Sequence, residues 1–304
     1  MQSLRPDVPN SQLRNASYTF RNLCSNNNQS VNFDLVSPAL PHIANLLEVD
    51  DHDVLSELCL ALVYLTDDDN ERIEAVQGVP NLLKKLIRLL DHPAPLVKAR
   101  ALQALGNMLA GSDEQTDRCL DEGCLQYLLA LLRYSKPDLV NKAAWAVGNI
   151  LVGTQRQIQK VIDYGILPHL VHTLMHHDNE CQREAAWAIT NLCLEGSPQQ
   201  LDALLALDFL EPYCNLLSSQ DTETITIVLE GITKLLEVNP QIVAAEKHGN
   251  VEPLYVKLEM TGVLDRIKSL QTRENEKKYK KALSRLKRII RRGRRRNSST
   301  VTDQ

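Results

Sequence analysis

Apolar and polar positions along the chain recur on a long period as well as a short one. Six segments, ASYTFRNL, LCLALVYL, ALQALGNM, AAWAVGNI, AAWAITNL and VLEGITKL, repeat one arrangement of apolar residues at helical spacing. Their seventh residues are Asn22, Tyr64, Asn107, Asn149, Asn191 and Lys234, separated by 42, 43, 42, 42 and 43 residues. A second marker travels with them. Gly123, Gly165 and Gly249 each open a Leu-rich stretch, and Asp208 takes the same place in LDFLEPYCNLL. Glycine there predicts a sharp turn between helices, because it tolerates positive φ.

A period of about 42 residues built only from helical patterns falls in the range of armadillo and HEAT repeats. The glycine corner of a three-helix repeat favours armadillo. The fold expected is therefore all-α, a right-handed armadillo-repeat superhelical solenoid of about seven repeats, each burying its apolar face against its neighbours. Residues 1–12 are polar, carry Pro6 and Pro9, and read as a flexible arm. Residues 13–290 are the array. Its last helix is expected from about Asn275 to Arg292, with Tyr279, Leu283, Leu286 and Ile290 as one capping stripe. Residues 291–304 have nothing to bury and read as a basic disordered tail.

Composition agrees with helices. Gly and Pro together number 25 of 304 residues, below the ~12% of an average chain. No apolar run approaches the ~20 residues of a membrane span, and MQSLRPDVPNSQL has no signal-peptide segment. The seven cysteines form no C-x-x-C pair and read as reduced, buried thiols of a cytosolic or nuclear protein. The net charge of −4 conceals a division. Residues 1–265 carry 19 basic and 35 acidic side chains, net −16, and residues 266–304 carry 15 and 3, net +12. An acidic body followed by a polycation points to partners.

The repeated helix suggests what the body presents. Trp145 and Asn149 are one turn apart, as are Trp187 and Asn191, and both tryptophans of the protein share one register. One reading makes them core residues. The other notes that Asn is poor in helix interiors and that a row of amides can pair with the backbone of an extended peptide. Tryptophan walls would then hold the aliphatic stems and charges of alternate lysines.

These segments resemble the importin α (karyopherin α) family, armadillo adaptors that carry nuclear localisation signals. AAWAVGNI and AAWAITNL carry its W-x-x-x-N signature. YLTDDDNERI, ALGNMLAGSDEQT, KVIDYGILPHLV and SLQTRENEKKYK extend the likeness from about Leu13 to Arg288. By their order the repeats look like the family's fourth through tenth. The resemblance implies a minor-site groove in which Trp145 and Trp187 wall the lysine stems. Asn107, Asn149 and Asn191 would clamp the peptide backbone, and Asp113, Thr116 and Glu184 would meet the ammonium groups. Asn22 matches the end of the family's major site, with Tyr18 in place of Trp. Leu60 stands where Trp is usual, while Tyr64 and Asp67 are kept. Gln103 replaces an Arg, Lys142 stands where Glu is common, and Lys234 ends the row. The departures imply a narrower, weaker site, with Lys142 repelling a basic peptide beside Trp145.

The resemblance also implies partners: proteins with basic nuclear localisation signals and, through SLQTRENEKKYK, the export receptor CAS. No basic importin-β-binding segment precedes the array, so direct loading on importin β is not expected. The implied setting is cytoplasm and nucleus, with no membrane. The tail leaves several readings open: a solvated end, a segment (Arg291, Arg292, Arg294, Arg295 and Arg296) that folds into the acidic groove, or a contact with nucleic-acid phosphates. His169, His172, His176 and His177 sit near Cys181 on a Leu-rich helix and read as surface residues, with no metal expected. No phosphate loop, G-x-S-x-G or H-E-x-x-H motif occurs, so neither a cofactor nor an enzyme is expected. The alternatives to an import adaptor are an armadillo scaffold or decoy that no longer transports cargo, and a nucleic-acid-associated protein driven by the tail.

Overall fold

The computed structural model describes residues 8–25, 32–67, 69–245, 254–271 and 279–289, all in helices and the turns between them. They fall into two compact units that divide between Ile150 and Leu151.

The first unit opens with α1 (Asn10–Cys24). Three trios follow, each ending in a long helix: α2 (Phe33–Val36), α3 (Leu40–Leu46) and α4 (His52–Leu65); α5 (Asn70–Gln77), α6 (Leu82–Arg88) and α7 (Pro95–Leu109); α8 (Asp113–Asp121), α9 (Cys124–Leu132) and α10 (Pro137–Leu151). α1 packs on α4 and α4 on α7. Leu58, Leu62, Leu102, Leu105 and Val147 are wholly buried among these helices. α1 starts at Asn10 rather than at 13. Pro9 precedes the first turn, where a missing N–H costs nothing, and Leu13 is buried. Arg14 Nε donates to the buried carboxylate of Asp51 at 2.9 Å, and Asp51 in turn caps α4.

The second unit continues with α11 (Gln155–Asp163), α12 (Leu167–His176) and α13 (Asn179–Glu195). α14 (Pro198–Leu205), α15 (Leu210–Asn215) and the long α16 (Thr222–Ala245) make the next trio, followed by α17 (Leu254–Met260), α18 (Val263–Leu270) and a helix, α19, over 279–289. α13 packs on α16. Tyr279, Leu283 and Leu286 of the expected capping stripe are buried, and Ile290 lies outside the described residues. Arg285 pairs with Glu237 of α16 at 2.8 Å.

The corners follow local chemistry. Gly123, Gly165 and Gly262 have φ of +81°, +74° and +70°. Asn81 does the same work before α6 with φ +63°, since its short polar side chain tolerates the left-handed region. Asp208 does not. Asn81 is the one described non-glycine residue with positive φ, so the turn before α15 is made without a left-handed residue at the position read as a glycine substitute. Gly249 lies outside the described residues. Ser112, Thr154 and Ser197 each start a first helix with a capping box closed by Gln115, Gln157 and Gln200. Two of those glutamines also staple neighbouring repeats inside their own units. Gln115 Nε2 donates to the Asn70 carbonyl at 2.8 Å, and Gln200 Nε2 to the Gln155 carbonyl at 2.7 Å.

Candidate peptide-binding face

In the first unit the ladder residues lie on the long third helix of each trio, half-turned to solvent. The innermost rung joins α7 and α10. The six-membered ring of Trp145 fills the space that a Cβ on Gly106 would need. Asn149 Nδ2 donates to the Gly106 carbonyl at 2.9 Å. One glycine thus seats both the tryptophan and the asparagine of the next helix. The rung between α4 and α7 uses the same bond: Asn107 Nδ2 donates to the Val63 carbonyl at 3.1 Å and reaches Thr66 Oγ1 at 3.4 Å. Asn149 spends one amide N–H on the preceding helix and keeps the second N–H and the side-chain carbonyl, which is the donor–acceptor set an extended backbone requires. The Asn107 amide nitrogen meets two acceptors at the end of the preceding helix.

Trp145, Trp187, Asn107 and Asn149 are half-buried. Trp145, Asn107 and Asn149 rest on the preceding long helix and still present a surface. Tyr64 is half-buried; Asp67, just beyond α4, and Asp113, in the first turn of α8, are exposed. Thr116 is turned inward. It is 3% exposed and its hydroxyl donates to the Leu109 carbonyl at 3.1 Å, which braces the α7–α8 corner. Lys142 pairs with Asp138, one turn earlier on α10, at 3.5 Å. Such an exposed pair is weak, yet it softens the repulsion expected of Lys142.

At the start of the unit the rung differs. Tyr18 and Asn22 are exposed, and Arg21 stands between them. Its guanidinium lies 4.5 Å over the Tyr18 ring, and Nη1 donates to Asn22 Oδ1 at 2.6 Å. Nε donates to Glu57 of α4 at 2.8 Å, and Arg100 of α7 reaches the other oxygen of Glu57 at 3.0 Å. Burial pushes the Glu57 carboxyl up, but the two arginines outweigh it and hold the group below the usual glutamate range. Sequence reasoning passed over Arg21, Glu57 and Gly106. The signal was present in the residue before each ladder position: Arg21, Val63, Gly106, Gly148, Thr190 and Thr233, small or medium except at the first.

In the second unit α13 presents Trp187, half-buried, and Asn191, more enclosed at 7% exposure. Thr190 behind them bonds to the Tyr213 hydroxyl at 2.5 Å and the Ala186 carbonyl at 2.8 Å, locking α13 in place. Glu184 accepts from Arg183 Nη2 at 3.1 Å, so its carboxylate is already partly compensated. Lys234 of α16 is half-buried. A cavity of about 1220 Å³ in this unit lies elsewhere, among the ends of α12, α15 and α17, and no ladder residue lines it. A face made of parallel helices is shallow and encloses little volume. The rings of His172 and His176 lie 4.4 Å apart and tilted by 43°, and burial followed by the two neighbouring histidines pushes the His172 imidazole down. Among the described residues no group of three His, Cys, Asp or Glu side chains is placed to hold a metal ion. Arg291, Arg292, Arg294, Arg295 and Arg296 lie outside the described residues. No described helix is long and apolar enough to cross a membrane.

The repeat arithmetic has counterparts among known proteins. Residues 112–152 and 154–194 match the model of the armadillo/beta-catenin-like repeat. Importin subunit alpha-7 of Arabidopsis thaliana is 43% identical over 281 residues, 90% of this chain and 53% of that protein. Over most of its length the chain is similar to importin α proteins. Importin subunit alpha-1b of Oryza sativa subsp. japonica is 37% identical over 292 residues, 94% of the chain and 53% of the relative. The chain thus spans about half the length of the curated importin α relatives it matches. Among solved structures, a designed armadillo repeat protein in complex with peptide (KR)4 superposes with a TM-score of 0.72 and 28% identity, covering 83% of this chain and 99% of the designed one. The armadillo fold expected from the 42-residue period is the fold observed.

Proposed function

We propose that the chain is an import-adaptor-like protein that binds Lys/Arg-rich segments, of the kind that act as nuclear localisation signals, in extended conformation along its third helices. The observation that carries this reading is the Gly106–Trp145–Asn149 rung. Gly106 seats an indole and anchors one amide N–H. The anchored asparagine keeps an acceptor and a donor in fixed positions for a peptide backbone. The indole beside it suits an aliphatic stem ending in a cation. Trp187 and Asn191 repeat the pair on α13, and Asp113, Asp67 and Glu184 supply carboxylates for the peptide's charges. The designed relative bound to (KR)4 supports the same chemistry on the same fold.

This reading extends to the partners of the family. Shuttling between cytoplasm and nucleus, and a contact of the C-terminal helices with the export receptor, go with it as proposals. Titration of a fluorescent Lys/Arg-rich signal peptide tests the binding face. Wild type should bind, and the Trp145→Ala/Trp187→Ala double variant should lose at least about tenfold in affinity, the scale of removing one or two buried aromatic contacts. Equal binding by both proteins would refute the assignment.

A further inference from the structure

In the first unit, the residue just before a ladder position is the one on which the next third helix rests. Gly106 seats Trp145, and Val63 offers its carbonyl to Asn107. In α1 that residue is Arg21, and the position on α4 from which an indole would come is Leu60. Both departures from the pattern fall on the same pair of helices. Where the α7–α10 rung has no side chain beneath and a large ring above, the α1–α4 rung has a long cation below and a smaller side chain above.

Arg21 uses the space in a specific way. It lies over the Tyr18 ring, donates to the Asn22 side-chain carbonyl and pairs with the Glu57 carboxylate. An aromatic face, an amide and a carboxylate are the three groups that the proposed function assigns to the capture of a peptide's basic side chain. Its side chain is only 19% exposed, so the guanidinium is held in place and does not sweep through solvent. The pairing with Glu57 leads the influences that raise the Arg21 pKa, against a smaller opposing effect of burial.

We propose that Arg21 is a resident substitute for a peptide lysine or arginine, closing the Tyr18–Asn22 rung from within and restricting cargo binding to the rungs beyond it. This rests on the reading of the third-helix face as a peptide site. A basic peptide side chain cannot take the closed rung until Arg21 leaves, and leaving breaks all three contacts. Removing Arg21 should open a further subsite for a Lys or Arg side chain. Glu57 keeps Arg100 as a partner in its absence, so the packing of α1 on α4 has a remaining anchor.

Peptide length separates this from a general charge effect. Neighbouring helices pack about 10 Å apart and an extended peptide rises about 3.3 Å per residue, so each rung takes about three residues. Two fluorescent Lys/Arg-rich peptides of about eight and about sixteen residues are titrated against wild type, Arg21→Ala and the control Arg88→Ala, an exposed charge on α6. Circular dichroism first establishes that the variants are folded. The expected result is that Arg21→Ala binds the long peptide about three- to tenfold tighter, leaves the short peptide unchanged, and differs from Arg88→Ala in doing so. An unchanged long-peptide affinity in folded Arg21→Ala, or an equal gain for both peptides or in Arg88→Ala, would overturn the proposal while leaving the peptide-site reading intact. Wild type that binds neither peptide removes that reading and this proposal together.

Discussion

Between α7 and α10 the contact is a glycine beneath an indole; between α1 and α4 it is an arginine, Arg21, paired with the carboxylate of Glu57. Both rungs come from the same six-segment pattern, yet where the later helix of the first carries Trp145 and Asn149, that of the second carries Leu60 and Tyr64, and the aromatic and asparagine pair Tyr18 and Asn22 lies on the earlier helix beside Arg21. They differ in two columns, the residue preceding the ladder position on the earlier helix and the aromatic position on the later one. A missing side chain in the first of these columns lets the next helix bring its aromatic ring close and leaves the outer surface to a ligand. A long cation there fills the surface itself. An aromatic and an amide one turn apart, as at Tyr18 and Asn22, are therefore not sufficient to leave a rung open; the residue that stands between them decides.

The strongest way to break this contrast is at Gly106. Alanine is about 1 kcal/mol better than glycine within a helix, so Gly106→Ala would stabilise α7 if the site were open. Because the Trp145 ring occupies the space of the new methyl group, overpacking should prevail and cost about 1–3 kcal/mol. Urea denaturation reads the sign directly, and a more stable variant would mean that the indole does not rest there. A somewhat smaller effect tests whether the two rungs are interchangeable. Leu60→Trp should be destabilising while Arg21 is present and tolerated once Arg21→Gly is added. The double-mutant cycle should show a favourable coupling of about 1–2 kcal/mol. Additive effects would mean that Arg21 and Leu60 are not a matched pair.

The smallest effect concerns Glu57, the carboxylate that holds Arg21. Its folded pKa lies below the ordinary glutamate value. The stability it contributes is therefore complete above the unfolded value of ~4.3 and disappears as pH falls through the folded one. Glu57→Gln should cost about 1 kcal/mol near neutrality. The difference from wild type should shrink toward zero as pH drops below ~4, as followed by denaturation at a series of pH values. A difference independent of pH would mean that packing, and not charge, joins α1 to α4.

The parts of the fold set by near neighbours in sequence were readable before the structure. The 42-residue interval, the long third helices and the positive-φ corners at Gly123 and Gly165 all depend on spacing within one or two turns. Asn81 and Asp208 show where such reading falters, since composition at a corner does not state the backbone angle. Thr116 shows a second limit. Its distance in sequence from Asn107 suits a place on the face, but the α7–α8 corner directs its hydroxyl back to Leu109. Arg21 shows a third. Its role depends on Leu60 in another repeat, and only a comparison of one column down the whole array reveals the exchange. The glutamines that staple one repeat to the next were similarly visible as S/T-x-x-Q at 112, 154 and 197, once the period was applied to polar residues as well as apolar ones.

All seven cysteines are buried, distributed over α1, α4, α8, α9, α13 and α15. Burial pushes the thiols of Cys24 and Cys59 up to about 12 and that of Cys214 to about 11, and raises Cys119 well beyond its ordinary value. A thiol in that condition is inert to alkylation until its own surroundings come apart. In an array whose members lean only on their neighbours, the order in which these sulfurs react is the order in which the stack opens. The protein carries its own set of clocks, in every repeat except α5–α7 and the last, and an added surface cysteine would report on cargo without being confused with any of them.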